Sequence, residues 1–378
     1  MTAAYETLCE SIYALAGETH MRMCETPLFL GTAEAAALAR AAQEIALEAL
    51  SPAVQAKMAP HIPPAFIMPS APPAPTFFII DFARTAEGFR LIELQAFASN
   101  LYFIPEAAKI YREVYGTKGD VLLCPEEDIA RTILNGHAPE HVPLVEINPW
   151  QQKSQRDFVV TRKKLGIPVL DVTEIIKEEN RLFYIDAKGI KTSIKRIYNR
   201  IIASEFEDLK LAEKAAFRFD EKLDVEWAGD PSWFLRVSKG LLPFLKHPLV
   251  PETMFADGDI PDDLENYVLK PAFRNAGLGV KLNVTRADIN ALPQDERQNW
   301  LLMRRVEYAP FITAPDGSRR SAEIRVMLVS PDGAPIPAVF SARLMRGNDV
   351  NANLEKKSEN FWCGLAPVFV TDAPSALT

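Results

Sequence analysis

The chain has 378 residues, a formal net charge of −8, and 48% hydrophobic against 24% charged residues. This is the composition of a folded globular protein able to bury large cores, with two or three domains at about 100–200 residues each, and it excludes disorder as the dominant state. The acidic balance argues against a nucleic-acid binder that works by counterion release.

The opening MTAAYETLCESIYALAGETH places Glu6 and Glu10 where a secretory signal needs an unbroken apolar stretch. No later segment approaches the ~18 apolar residues of a membrane span, so a cytoplasmic location without membrane contact is expected. Residues 1–58 read as two or three helices. In TAEAAALARAAQEIALEALS, residues 32–51, apolar positions recur at helical spacing behind a threonine and an acidic residue. Six of the 29 prolines fall in IPPAFIMPSAPPAPT, residues 62–76, a stiff connector between two strongly patterned regions.

TFFIIDFARTAEGFRLIELQAFASNLYF, residues 76–103, holds two apolar runs around Gly88 and reads as a β-hairpin, followed by a helix from about Pro105. Residues 120–205 then alternate: a VLLC strand, an EEDIARTIL helix, a PLVEI strand, a QQKSQRDFVVTRKKLG helix, an IPVLDV strand, and a RLFYIDAKGIKTSI hairpin turning around Ala187 to Gly189. That order marks a βαβ lobe on a parallel sheet. Residues 206–250 read as helical and charged, and residues 264–378 as strands broken by Gly, Asp and Pro turns. No internal repeat is present.

Two segments carry chemistry. In YVLKPAFRNAGLGVKL, residues 267–282, an apolar strand ends on Lys270 and a loop with Gly277 and Gly279 follows. A lysine facing a small-residue loop suits a polyphosphate, since the ammonium supplies charge and glycine lets backbone N–H groups approach. The Walker pattern is absent, and read alone the segment is equally a strand–turn–strand hairpin with a surface lysine. Upstream, Asp81 lies in the first strand of the hairpin and Glu93 and Gln95 in the second. Residues i and i+2 of a strand share a face, so these oxygens can converge as ligands for Mg²⁺. The other reading, a solvent-facing hairpin, leaves carboxylates inside the very apolar runs FFIIDF and LIELQAF without a partner.

Together these residues resemble the ATP-grasp superfamily, in which metal-bridged ATP is clamped between α+β lobes. The carboxylates precede the lysine segment here. With the E-L-Q-A-F-A run and IKRIYNRI at residues 194–201, that order is similar to the circularly permuted branch represented by the glutathionylspermidine synthases. The resemblance spans about residues 76–370. It implies an α/β chain with a circularly permuted ATP-grasp fold, a βαβ central domain and N-terminal helices. The implied divisions are 1–75, N-terminal helices and proline connector; 76–119, metal-binding hairpin and helix; 120–205, βαβ substrate domain; 206–250, helical connector; and 251–378, nucleotide-binding lobes.

Residue by residue, the resemblance makes Lys239, in SKGLLPFLKHPLVPETMF at 238–255, the first nucleotide lysine and Lys270 the second. WLLMRRVEYAPF at 300–311 is similar to the strand and hinge that meet adenine, with Arg305 and Val306 offering backbone groups and Glu307 a ribose acceptor. Read alone, it is an amphipathic strand. AEIRVMLV at 322–329 and SARLMRGNDVNANLE at 341–355 imply Arg325 and Arg343 as charge stabilisers, with Asn351 or Asn353 lining the site. By its alternation with Ile324 and Val326, Arg325 is also readable as an exposed cation. Two departures stand out: Gln95 replaces the family's usual asparagine ligand, and Ile79 replaces an arginine two residues before the first metal carboxylate.

The implied function is an ATP- and Mg²⁺-dependent, ADP-forming ligase that joins a small-molecule or peptide carboxylate to an amine through an acyl-phosphate. The alternative is a catalytically inactive relative that binds nucleotide or assembles with a partner, motivated by Ile79 and Gln95. No G-x-G-x-x-G opens a helix after a strand, which disfavours a dinucleotide enzyme. Cys9, Cys24, Cys124 and Cys363 have no C-x-x-C spacing, and His20, His61, His137, His141 and His247 have no metal spacing. The mechanism calls for no side-chain nucleophile. Substrate identity and oligomeric state are not legible.

Overall fold

The computed structural model describes residues 2–17, 22–62, 72–202, 214–273, 279–313, 317, 319–346 and 363–372. Gly277, Asn351 and Asn353 lie outside the described residues, as does most of the proline connector.

The N-terminal region forms α1 (Ala3–Ala16), β1 (Leu28–Leu30), α2 (Thr32–Ala49) and α3 (Pro52–Met58). Thr2 caps α1 by accepting the Tyr5 N–H, and Ser51 caps α3 by accepting that of Val54. β1 was not expected among helices. Its three residues are too few for a periodic signal, and it exists by parallel pairing with the distant C-terminal strand.

The hairpin forms as expected, β2 (Phe77–Thr85) against β3 (Gly88–Gln95), and is followed by α4 (Phe103–Tyr115), α5 (Glu126–Leu134), β4 (Leu144–Glu146) and α6 (Gln155–Leu165). Residues 121–124, expected as a strand, make only isolated bridges, Asp120 to Val370 and Leu122 to Val339 nearby. Next come β5 (Val169–Asp171), β6 (Ile176–Glu178), β7 (Arg181–Ile185), β8 (Lys191–Ile194) and β9 (Arg196–Asn199). The stretch read as helical at 206–250 contains β10 (Glu226–Ala228), a short helix Pro231–Arg236 and a 3₁₀ turn Lys239–Phe244. The remaining strands are β11 (Thr253–Phe255), β12 (Tyr267–Pro271), β13 (Trp300–Arg304), β14 (Ile312–Thr313), β15 (Arg319–Val329), β16 (Ile336–Arg346) and β17 (Gly364–Val370).

Four sheets result. The largest runs β1-β17-β16-β15-β2-β3, with β14 also pairing β15, so the hairpin near residue 90 and the strands after residue 319 belong to one sheet. β10-β9-β4-β5 is parallel throughout, as the βαβ alternation requires. β11-β13-β12 and β6-β7-β8 are small antiparallel sheets.

The large sheet is covered on both faces. Phe78, Ile80, Phe82, Ile324, Val326, Phe340 and Ala342 meet α2, α3 and the 233–245 segment. On the opposite face Phe77, Ile79, Met327 and Val339 pack with α1 and α4 residues such as Leu8, Ile12, Phe103 and Tyr111. Two-sided burial explains why β2 reads as a near-continuous apolar run rather than an alternating one. The small sheet β11-β13-β12 has its own core on one side, with Tyr267, Leu269 and Leu302. Its other side presents Val268 and Met303 to the large-sheet core. Among the described residues no helix is long and apolar enough to cross a membrane.

Candidate functional site

The second face of the large sheet is apolar at one end and charged at the other. Moving two residues along each strand from Ile79, Met327 and Val339 leads to Asp81, Arg325 and Ser341, which are direct cross-strand neighbours. Glu93 extends that row on the far side of Asp81. The next row holds Ala83, Glu323 and Arg343. Strand alternation thus places two acids and an arginine in one line, with an acid and an arginine in the line behind it.

A bulge in β3 makes this possible. Asp81 pairs Glu93 whereas Phe82 pairs Leu91, leaving Ile92 without a cross-strand partner. In a regular strand Leu91 and Glu93 would share a face. The extra residue lets Leu91 enter the core while Glu93 turns to the charged row. It also frees the Ile92 carbonyl, which accepts a hydrogen bond from Lys270 Nζ at 3.1 Å. Lys270 lies on the inner side of the small sheet and so bridges the two sheets, its ammonium beside the Met303 sulfur at 2.7 Å.

Each acid of the front row is paired. Asp81, 5% exposed, accepts two parallel bonds from Arg325, Nε to Oδ1 at 2.8 Å and Nη2 to Oδ2 at 2.7 Å. Arg325 is therefore an engaged, largely buried group and not the exposed cation that alternation allowed. Glu93 accepts from Lys239 Nζ at 2.8 Å. Lys239 starts the 3₁₀ turn Lys239–Phe244, where the Ser238 hydroxyl accepts from the Gly240 N–H. A Cβ on Gly240 would sit 2.9 Å from the Met58 methyl and 3.3 Å from the Phe273 ring, so glycine lets this turn approach closely.

The electrostatics follow from burial against neighbours. Burial works to raise the Glu93 carboxyl, but Lys239, Lys270 and Arg325 together hold it below its usual range. Burial, reinforced by the charge of Lys239, pushes Lys270 down to about 7, with Glu93 and Glu323 only partly offsetting it. For Arg325 burial opposes the charge, yet Asp81 keeps the guanidinium above the ordinary arginine range. Glu323 is raised by burial and by Asp81, against the lowering effect of Arg343.

Two residues of this site were missed by the sequence reading. Tyr308 donates to Glu323 Oε1 at 2.6 Å and ties the segment leaving β13 to the charged face. The i, i+2 spacing of Glu323 and Arg325 was the available signal. Arg343 stands opposite Glu323, and its Nε has no hydrogen-bond partner among the described residues. Arg305 and Glu307 bond each other at 2.7 Å on the surface, the Arg305 N–H meets the Asn266 carbonyl, and Val306 packs on the core. Gly279, at φ +80, lets the loop return against Pro271 and Trp300. Gln95 lies beyond Glu93 on the same face and, with Glu93, Lys239, Phe234 and Phe273, lines a small cleft.

Asp81 and Glu93 offer adjacent hard oxygens, with the Gln95 amide two positions on. Among the described residues no group of three or more His, Cys, Asp or Glu converges as a metal site. Two carboxylates and an amide make an oxygen-only donor set, the chemistry that Mg²⁺ takes when further oxygens complete its shell.

A second buried ion pair lies outside this row. Arg200 Nη1 donates to Asp157 Oδ2 at 2.7 Å, and the same oxygen accepts the Asn100 N–H at 2.9 Å. Arg200 sits between the Phe97 and Phe158 rings, joining the segment after the hairpin to the parallel sheet. Asp157 Oδ1 and Arg200 Nε have no partner among the described residues. Neither Cys24 nor Cys124 suits nucleophilic work: burial raises Cys124 to about 11 and Cys24 to about 12, and Cys124 sits in a loop rather than at a strand end.

No protein-family model matches the chain. No curated protein matches it either. Among solved structures, the chain is similar to a glutathione synthetase-like effector from Globodera pallida in its apo form, with a TM-score of 0.62 at 8% identity, covering 97% of this chain and 96% of that one. At that identity the likeness establishes a shared overall fold. A candidate gamma-glutamylcysteine synthetase from Methylobacillus flagellatus aligns at a TM-score of 0.37 and 12% identity, over 73% of this chain and 77% of that one, and adds nothing to the argument.

Proposed function

We propose that this chain is an ATP-dependent carboxylate–amine ligase of circularly permuted ATP-grasp type, ADP-forming and cytoplasmic. The observation that carries the reading is the row Glu93, Asp81, Arg325, with Lys239 and Lys270 reaching it from the neighbouring segments. Two carboxylates, two lysines and an arginine converging between two sheets form a set suited to a metal-bridged polyphosphate. The shared fold with a glutathione synthetase-like protein supports the same class.

In this reading Asp81 and Glu93, with Gln95, would hold Mg²⁺, which neutralises phosphate charge when bound. Lys239 and Lys270 bind phosphate oxygens. Arg305, Val306 and Glu307, at the exit of β13, take the nucleoside side, and Gly277 and Gly279 keep the nucleotide role that the sequence resemblance gives them. Arg325 and Arg343 stabilise charge on the transferred phosphoryl, and Asn351 or Asn353 keeps the site role that the sequence resemblance gives it. The γ-phosphoryl passes to the substrate carboxylate and ADP departs. The amine then attacks the acyl carbon, phosphate leaves, and the amine's proton is released. In this reading positioning and electrostatics do the work.

The test is thermal stabilisation by Mg-ATP, followed by ADP release against pools of amino acids, peptides and polyamines. Lys270→Ala is expected to abolish the stabilisation, and unchanged binding in that variant overturns the assignment. A second reading, a non-catalytic nucleotide or partner binder, is favoured by the bidentate Arg325–Asp81 pair, which occupies a carboxylate the ligase needs. Nucleotide binding with no ADP release against any pool decides for it.

A further inference from the structure

We infer that the site's own ion pairs are placeholders for its ligands, so that metal ion and polyphosphate enter as a coupled unit and each alone is resisted. The inference rests on the nucleotide reading above and concerns how that site is controlled.

Three contacts carry it. Lys239, a phosphate lysine in that reading, is held by Glu93, a metal ligand in that reading, with the lysine side chain 9% exposed and the glutamate 23%. Arg325, the charge stabiliser, holds both oxygens of Asp81. Lys270 is turned onto the bulge carbonyl of Ile92. Three of the four cations that would meet phosphate are therefore engaged by the edge that would hold the metal, Arg343 being the fourth. Removing one partner of such a pair leaves the other charge buried and uncompensated, which is far costlier than exchanging it for a new partner.

Consider each ligand alone. A metal ion approaching Asp81 and Glu93 meets Lys239, Lys270 and Arg325 at the same place and must part Lys239 and Arg325 from their carboxylates. A polyphosphate approaching the lysines meets Asp81 and Glu93 and must strip them of their partners. When both arrive, the carboxylates pass to the metal and the cations to the phosphates, and every charge keeps an opposite neighbour. The two binding events then favour each other reciprocally.

This predicts an inversion that a plain metal-ligand role does not. Glu93→Gln, although it removes a metal ligand, takes the carboxylate charge away from Lys239 and should tighten binding of metal-free anions. The probe is inorganic tripolyphosphate, titrated calorimetrically into the whole protein with EDTA or with Mg²⁺. In the wild-type chain Mg²⁺ should tighten tripolyphosphate binding by about 5- to 150-fold, the usual range for coupled sites. In Glu93→Gln the metal-free affinity should rise by a similar factor and the Mg²⁺ effect should shrink toward none. Asp81→Asn, acting on the other pair, should show the same trend and guards against a folding defect peculiar to one variant.

Metal-free affinity that is unchanged or lower in both variants overturns the inference, as does wild-type binding indifferent to Mg²⁺. If Mg-ATP stabilises the wild-type chain while the variants show no gain, this inference alone fails. If neither tripolyphosphate nor Mg-ATP binds the wild-type chain, the nucleotide reading fails and takes this inference with it.

Discussion

Arg200–Asp157 and Arg325–Asp81 are both buried arginine–aspartate pairs, yet they differ in what surrounds them. The first is sealed, with side chains 2% and 0% exposed, aromatic rings on the guanidinium and a backbone N–H on the carboxylate. The second is closed on the aspartate side and 21% open on the arginine side, beside Glu93, Lys239 and Lys270. A pair sealed from solvent on both sides is a clamp holding two parts of the fold together. A pair open on one side to solvent and to further charges can be exchanged, and exchange is what a binding site requires.

The largest effect that would test this contrast comes from the sealed pair. Arg200→Met leaves the fully buried Asp157 carboxylate without its guanidinium and should lower unfolding free energy by about 3–5 kcal/mol, read from urea denaturation. A loss within experimental error, together with loss of ATP-dependent turnover, would reverse the assignment and make Arg200 the ligand-facing group.

Next in size is Lys270, whose burial gives the open site a cost that the sealed pair lacks. Its folded value of about 7 lies below the ordinary lysine range near 10.4, so between those pH values the unfolded chain carries a proton that the folded chain does not. Stability from this group therefore rises with pH across that window, and the cost is fully present below about 7. Lys270→Met should raise stability at pH 6 by about 1–3 kcal/mol and flatten that part of the pH profile, while abolishing binding of Mg-ATP. A variant less stable at pH 6 than the wild-type chain would show that the lysine contributes to the fold and is not held there at a cost.

Much of this was legible in the sequence, and the limits were physical. Asp81 and Glu93 stood out because carboxylates inside FFIIDF and LIELQAF demand partners, and the parallel sheet followed from strand–helix alternation. The bulge at Ile92 was not legible, because no Gly or Pro marks it and it arises from which residues pair across the hairpin. The strands β1 and β10 have three residues each, and tertiary pairing rather than local pattern creates them. Arg200 was quoted only within a strand motif, since its aspartate lies 43 positions away in a helix.

The smallest expected effect separates the second charged row from the first. Tyr308 reaches Glu323 from the segment that links the small sheet to the large one, where the Ala309 N–H also bonds the Arg84 carbonyl. Tyr308→Phe removes one hydrogen bond to an acid that Arg343 still faces, so the cost stays near 0.5–1.5 kcal/mol. If Glu323 belongs with the exchangeable charges, the variant should alter nucleotide affinity more than stability, because the inter-sheet segment loses its tie to the charged face. If it belongs with the clamps, unfolding free energy should fall by several kcal/mol with affinity unchanged. Calorimetric binding of Mg-ATP beside urea unfolding of the same preparation distinguishes these outcomes, and the first is expected, because Arg343 opposite Glu323 remains to compensate any charge that the lost hydroxyl exposes.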